Sequence, residues 1–171
     1  MNYKKKLKDI TTFIFDVDGV LTDGKVYLLK DEVARAVNSK DGYALQYASK
    51  NNYRIFIITG GYSEDLKKRL LDIGIHDVFL KASNKIEVYN KIKRDYDIED
   101  NEVLYVGDDI PDIPVLKVVG VSCCPQDAAT DVKNVVDYHS PILGGHGCVR
   151  EIIEQTMRAQ GSWLNDNAYH W

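Results

Sequence analysis

Phe13-Ile14-Phe15-Asp16-Val17-Asp18-Gly19-Val20-Leu21-Thr22-Asp23-Gly24 runs from an apolar stretch directly into three acidic residues and two glycines. Thr12 to Phe15 has the continuous apolar character of a strand buried on both faces. Carboxylates gathered at the end of such a strand are costly unless a cation or hydrogen bonds compensate them. Asp16 and Asp18 stand two apart, so in an extended segment their side chains share a face. That pair suits one nucleophilic carboxylate and one proton-transfer group, bridged by a hard metal that takes oxygen ligands. Taken alone, the stretch also reads as an acidic turn after a strand, because Asp and Gly are ordinary turn residues.

Three further stations extend the pattern. Ile55-Phe56-Ile57-Ile58-Thr59-Gly60-Gly61 is an apolar strand ending in a hydroxyl and two glycines. A hydroxyl and exposed N–H groups of a glycine turn before a helix form a phosphate cradle, although Thr-Gly-Gly is also a plain strand-to-helix turn. Lys85 opens the helical segment Ser83 to Tyr96; it is either a solvated surface charge or a compact cation completing a phosphate site. Val103-Leu104-Tyr105-Val106-Gly107-Asp108-Asp109-Ile110-Pro111-Asp112 is again an apolar strand running into carboxylates, where Asp108 or Asp109 is also a candidate helix cap. In an open parallel sheet, ligands bind outside the carboxyl ends of the strands, where all four stations can converge.

The rest of the chain supports such a sheet. Lys25 to Asn38 reads as a β-hairpin turning near Lys30-Asp31-Glu32. Helical spacing is expected over Asp41 to Asn51, Ser63 to Asp72 (closed by Gly74), Ser83 to Tyr96, around Asp127 to Lys133, and from Gly147 to Gln160. Strands are expected at Arg54–Ile58, Val78–Leu80, Val103–Val106, Val119–Ser122 and Val135–Tyr138, with a short helix after Asp112. This alternation predicts an α/β fold, a doubly wound parallel sheet with helices on both faces, in one domain over residues 1–160. Only a hairpin and a helix separate Asp18 from Thr59, and one helix and one short strand separate Thr59 from Lys85. There is no room for a cap domain, so closure of the site has to come from elsewhere, a neighbouring subunit being the obvious source.

Composition excludes several function classes. With 171 residues and a net charge of −4, the chain has room for a sizeable core and no basic footprint for nucleic acid. The lysines at 4, 5, 6 and 8 read as a solvated terminus. No apolar run reaches membrane-span length, and the first residues lack the apolar core of a secretory leader. Cys123, Cys124 and Cys148 show no disulfide framework or metal-ligand spacing, so buried thiols in a reducing cytoplasm are expected.

On the order Asp-x-Asp-Gly, Thr-Gly, Lys, Gly-Asp-Asp, the chain resembles the haloacid dehalogenase superfamily of aspartyl phosphatases. The resemblance implies a Rossmann-like fold and dependence on Mg²⁺. It implies Asp16 as the nucleophile and Asp18 as the group that protonates the leaving alcohol and later activates water. Thr59 and Lys85 would hold phosphoryl oxygens, and Asp16, the main-chain carbonyl of Asp18, and Asp108 would ligate the metal. Removing Asp16 is expected to abolish turnover.

Within the superfamily the chain is most similar to the capless sugar-acid phosphatases. The match extends over the 16–24 segment, Asn38-Ser39-Lys40-Asp41-Gly42-Tyr43, Gly107-Asp108-Asp109 and Gly144-Gly145-His146-Gly147-Cys148-Val149-Arg150-Glu151. The implied substrate is 3-deoxy-D-manno-octulosonate 8-phosphate, on the route to lipopolysaccharide. The implied assembly is a homotetramer whose hairpins form a shared barrel. Substrate contacts carried over by position are Asp18, Asn38, Ser39, Lys40, Asp41, Gly42, Gly60, Arg69 and Lys85. The Arg69 guanidinium also suits a sugar-acid carboxylate, or is simply a solvent-facing helix residue. Arg150 could bind the substrate or cap a carboxylate across an interface, the structural role being favoured, and His146 is expected to be a loop or interface residue rather than a catalytic base.

Gly61 and Gln46 stand where relatives often carry arginine, which opens the alternative of a nine-carbon sugar acid, a ketodeoxynonulosonate or neuraminate 9-phosphate. A noncatalytic oligomerisation module and a phospho-accepting signalling receiver are the competing classes. The first is disfavoured because Asp16, Asp18, Lys85 and Asp108 are all present, the second because it lacks the early Asp-x-Asp-Gly. The tail 161–171 carries Trp163, Tyr169, His170 and Trp171. It is expected either to help close a neighbour's site or to dock on its own subunit.

Overall fold

The structure, a computed structural model, describes residues 2–31 and 33–171. Six parallel strands form one sheet: β1 (Thr12–Phe15), β4 (Arg54–Ile58), β5 (Asp77–Phe79), β6 (Val103–Val106), β7 (Val121–Cys124) and β8 (Tyr138–His139), in the order β5-β4-β1-β6-β7-β8. Two short antiparallel strands, β2 (Tyr27–Leu28) and β3 (Val33–Ala34), make the hairpin after β1. Around the sheet lie α1 (Tyr3–Lys6), α2 (Ser39–Lys50), α3 (Glu64–Asp72), α4 (Lys85–Tyr96), α5 (Ile113–Leu116), α6 (Thr130–Lys133) and α7 (Cys148–Ala159). This is the doubly wound architecture expected from the alternation, with no cap domain among the described residues.

The central strands are buried on both faces, as their unbroken apolar sequences require. Phe13, Phe15, Ile55, Ile57, Leu104 and Val106 face one layer with α2 and α7. Ile14, Phe56, Ile58 and Tyr105 face the other, with α4 and α5. Phe15 pairs with Ile57 on one side and Val106 on the other. The chain therefore leaves β1, β4 and β6 at one level on one edge. Between β1 and β6 the strand order reverses, which opens a crevice for a ligand.

Several boundaries differ from the expectation, each for a local reason. α2 begins at Ser39 rather than Asp41, because the Asn38 side chain caps it by accepting from the Lys40 N–H at 2.8 Å. Val119 still belongs to the turn after α5, its N–H donating to the Val115 carbonyl, so β7 starts at Val121. The Ala129 N–H donates to the Asp108 carbonyl at 2.8 Å, and α6 starts only at Thr130. Val135 is held by the Val132 carbonyl in the turn after α6, which delays β8 to Tyr138. Lys4, Lys5 and Lys8 are exposed, as expected of a solvated terminus, but the segment is ordered as α1, with Lys6 paired to Asp137 at 3.0 Å and Tyr3 stacked on Tyr138 at 4.9 Å. The expected hairpin turn includes Glu32, which lies outside the described residues.

Candidate active site

The four stations meet in one cleft of about 440 Å³ at the strand ends. Asp16 follows β1 directly, and its N–H continues the ladder by donating to the Val106 carbonyl at 3.0 Å. The chain then turns through Gly19 at φ +89°, a left-handed conformation, and closes with the Thr22 N–H on the Val17 carbonyl. Gly19 also lies against Asp108: a Cβ at that position would sit 2.0 Å from the Asp108 carboxylate. The Thr59-Gly60-Gly61 turn lines the opposite wall with Ala82 and Ser83. The Ala82 N–H donates to the Thr59 carbonyl and that of Lys81 to the Gly61 carbonyl, so the loops after β4 and β5 are pinned together.

Lys85, at the first turn of α4, is buried between carboxylates, 3.0 Å from Asp16 and 2.6 Å from Asp112. Burial alone would lower its pKa, but the charges of Asp16 and Asp112 raise it above the ordinary lysine value. Asp112 is fully buried and also accepts from the Tyr105 hydroxyl at 2.6 Å and from the N–H groups of Asp108 and Asp109. It anchors the loop after β6 as well as the lysine. The sequence reading noted Asp112 in the motif without assigning it this role.

Carboxylate oxygens of Asp16, Asp108 and Asp112 all lie within 4.8 Å of one another. Burial, then the charge of Asp112, lifts the Asp16 pKa to about 6 despite the opposing pull of Lys85. Burial, then the charges of Asp16 and Asp112, lifts Asp108 to about 8. One ammonium is thus insufficient for the cluster, and the all-oxygen donor set fits a hard divalent cation. Because Asp112 is already saturated by four donors, Asp16 and Asp108 are the carboxylates left to hold an ion.

Asp18 lines the same cleft and is gripped by Arg35, which reaches in from just beyond β3: Nε to Oδ1 is 2.6 Å and Nη2 to Oδ2 is 3.3 Å. Sequence reasoning missed Arg35 because a lone arginine on a hairpin carries no local signal of where it points. Gly60 lines the cleft, and Thr59 is buried there with its hydroxyl accepting from the Gly61 N–H at 3.1 Å.

The other expected substrate contacts lie apart from this cleft. Asn38, Ser39, Lys40, Asp41 and Gly42 form the start of α2, and none of them lines it. Asp41 is 1% exposed and accepts the Arg150 N–H at 2.8 Å, tying α2 to the start of α7. Arg69 lines a neighbouring groove between the hairpin and α3, together with Arg35. Arg150 pairs with Glu154 and lies over the Tyr43 and Trp163 rings. His146 bonds the Gly144 carbonyl within its own loop. The tail folds onto its own chain: Trp163 packs edge-on to Tyr47 at 5.2 Å, Trp171 edge-on to Tyr43 at 5.6 Å, and the Tyr43 hydroxyl donates to the Ala168 carbonyl. The three cysteines are free and buried, and no helix among the described residues is long and apolar enough to cross a membrane.

Comparison with known proteins agrees with this geometry. The family model of haloacid dehalogenase-like hydrolases matches residues 40–120. The 3-deoxy-D-manno-octulosonate 8-phosphate phosphatase KdsC of Salmonella typhi is 36% identical over 157 residues, covering 91% of this chain and 84% of that protein. The crystal structure of the phosphatase of the same name from Yersinia pestis superposes with a TM-score of 0.91 at 31% identity, over 94% of this chain and 88% of the other. The Moraxella catarrhalis phosphatase, solved with magnesium, phosphate and KDO, gives a TM-score of 0.91 at 28% identity, over 94% and 93% of the two chains.

Proposed function

This chain belongs to the haloacid dehalogenase-like hydrolases, among the capless sugar-acid phosphatases, and on that premise we propose that it hydrolyses 3-deoxy-D-manno-octulosonate 8-phosphate to the free sugar acid and phosphate. The observation that carries the reading is the convergence of Asp16, Asp108 and Asp112 around Lys85, in a cleft shared with Asp18 and Thr59.

The residues divide the work as their positions allow. Lys85, Thr59 and the N–H groups of the glycine turn receive the phosphoryl oxygens, and Lys85 also offsets the charge of Asp16 as a dianion approaches. A carboxylate oxygen of Asp16 attacks phosphorus, the P–O bond to the sugar breaks, and Asp18 delivers a proton to the departing alkoxide oxygen. Asp18, now ionised, takes a proton from the water that attacks the aspartyl phosphate, and phosphate departs with Asp16 regenerated. Asp16, Asp108 and the main chain at Asp18 are the groups to hold Mg²⁺, which would offset the negative charge shared by phosphate and carboxylates. The magnesium and phosphate found with the Moraxella relative support a metal-assisted phosphate site.

The exposed apolar residues of the hairpin region, Val26, Tyr27, Leu28, Leu29, Val33 and Val37, support assembly into a homotetramer. We infer a role in lipopolysaccharide biosynthesis, as the resemblance to the capless sugar-acid phosphatases implies, and a cytoplasmic enzyme, a reading that the three free, buried cysteines support. Gly61 and Gln46 favour one second reading, a nine-carbon sugar-acid 9-phosphate. Phosphate release from both sugar-acid phosphates, with Mg²⁺ and after chelation, tests the function. Metal-dependent kcat/KM highest for the eight-carbon substrate, and abolished in Asp16→Asn, is expected. No release from either substrate would overturn it.

A further inference from the structure

The acidic cleft holds five aspartates and, among the described residues, a single lysine in its lining. Two of that lysine's three N–H donors are taken by Asp16 and Asp112, which leaves one for the phosphate and none for a second anion. A substrate carrying a carboxylate in addition to its phosphate would meet repulsion there unless a second cation reached the site. Arg35 is the cation that does.

Three observations single it out. Its side chain is only 12% exposed, although it belongs to a hairpin whose other described residues are largely open to solvent. Its Nε and Nη2 hold both oxygens of Asp18, whereas its Nη1 is buried with no hydrogen-bond partner among the described residues. A buried, unpaired donor on a charged group is expensive, so this arrangement leaves the guanidinium short of an acceptor. Finally, the guanidinium lies against Gly61: a Cβ there would be 3.0 Å from Nη2 and 3.2 Å from Asp18 Oδ2. A side chain at residue 61 would press on the guanidinium, so glycine leaves the arginine room.

Arg35 also stands at a junction. On one side it meets Asp18 in the acidic cleft; on the other it lines, with Arg69, the groove of about 240 Å³ between the hairpin and α3. Two arginines on one groove beside the proposed phosphate site suit a second anionic group of the same ligand.

We propose that Arg35 is the carboxylate-recognising residue of this site, and that it exchanges its fork on Asp18 for the substrate's carboxylate when a sugar acid binds. The proposal rests on the sugar-acid phosphatase reading and adds the residue that distinguishes such a substrate from a neutral sugar phosphate. The exchange satisfies the guanidinium with a ligand oxygen and releases Asp18 toward the leaving group. Specificity would then be set by the hairpin, an element outside the catalytic loops.

The test is inhibition of aryl phosphate hydrolysis by two probes, free 3-deoxy-D-manno-octulosonate and inorganic phosphate, in wild type, Arg35→Ala, Arg35→Gln and Arg35→Lys. The ratio of the sugar-acid to the phosphate inhibition constant should rise about tenfold or more in Arg35→Ala and Arg35→Gln. Lysine should restore it only in part, because it keeps the charge and loses the fork. An unchanged ratio in both Arg35→Ala and Arg35→Gln, or a wild type that the sugar acid does not inhibit, overturns the proposal. Turnover of the sugar-acid phosphate by wild type is measured separately. A shifted ratio without that turnover would retain Arg35 as a carboxylate site and remove the substrate assignment.

Discussion

Asp112 accepts the Lys85 ammonium at 2.6 Å, and both side chains are almost completely buried. The pair joins the loop after β6 to the first turn of α4, and it fixes the cation on which the proposed phosphate site depends. Tyr105, entirely buried, rests its hydroxyl on the same carboxylate.

Replacing Asp112 by alanine therefore leaves the buried ammonium with Asp16 alone and strands a buried hydroxyl and two loop N–H groups. The expected cost is about 3–5 kcal/mol in folding stability, read from urea unfolding, with kcat/KM falling at least about a hundredfold. Asparagine at this position should recover part of the stability and little of the activity. Wild-type stability in Asp112→Ala would show that the network contributes nothing.

Gly19→Ala tests the close approach of the first loop to Asp108. The φ of +89° and the 2.0 Å clash force either the loop or the Asp108 carboxylate to move. Displacing Asp108 should raise the Mg²⁺ concentration for half-maximal activity about 10–100-fold. The check is a Mg²⁺ titration of aryl phosphate hydrolysis; an unchanged midpoint would mean that the clash is relieved without displacing a ligand of the ion.

Asp41 supplies a pH dependence outside the metal cluster. Burial, opposed by the hydrogen bond from the Arg150 N–H, raises its pKa to about 6, against about 3.9 in an unfolded chain. Between these values the folded state binds the extra proton, so this group's contribution makes stability fall as pH rises from about 4 to about 6, and flat above. The full effect is about 3 kcal/mol. Unfolding midpoints of wild type and Asp41→Asn, compared across pH 4–8, should diverge over that window, with the variant less affected by rising pH. Parallel curves would exclude the effect.

Removing residues 162–171 takes away Trp163 and Trp171 and uncovers Tyr43 and Tyr47 on α2. A loss of about 2–4 kcal/mol is expected, independent of protein concentration if the tail serves its own chain. A loss that appears only at concentrations where subunits associate would instead assign the tail to a neighbour.

Phe13 to Phe15, Ile55 to Ile58 and Val103 to Val106 were readable as buried parallel strands because each is a continuous apolar run. Thr59, Lys85 and Asp108 could be placed with them because a parallel sheet sends its loops to one edge. Weak, short elements escaped: β7 and β8 start late because neighbouring turns keep Val119 and Val135, which are apolar enough to resemble strand residues.

The residue order determined the inventory of the candidate site, because strand hydrophobicity and the acid or glycine that ends each strand are local properties of the chain. Tertiary packing alone decided which charge meets which. Arg35 finds Asp18 only after the hairpin folds over Gly61, Asp112 receives Lys85 only when α4 docks on the sheet, and Asp41 reaches Arg150 across 109 positions. An ion pair has no period and no propensity to announce it; its energy depends on distance and burial, and both exist only once the elements have packed.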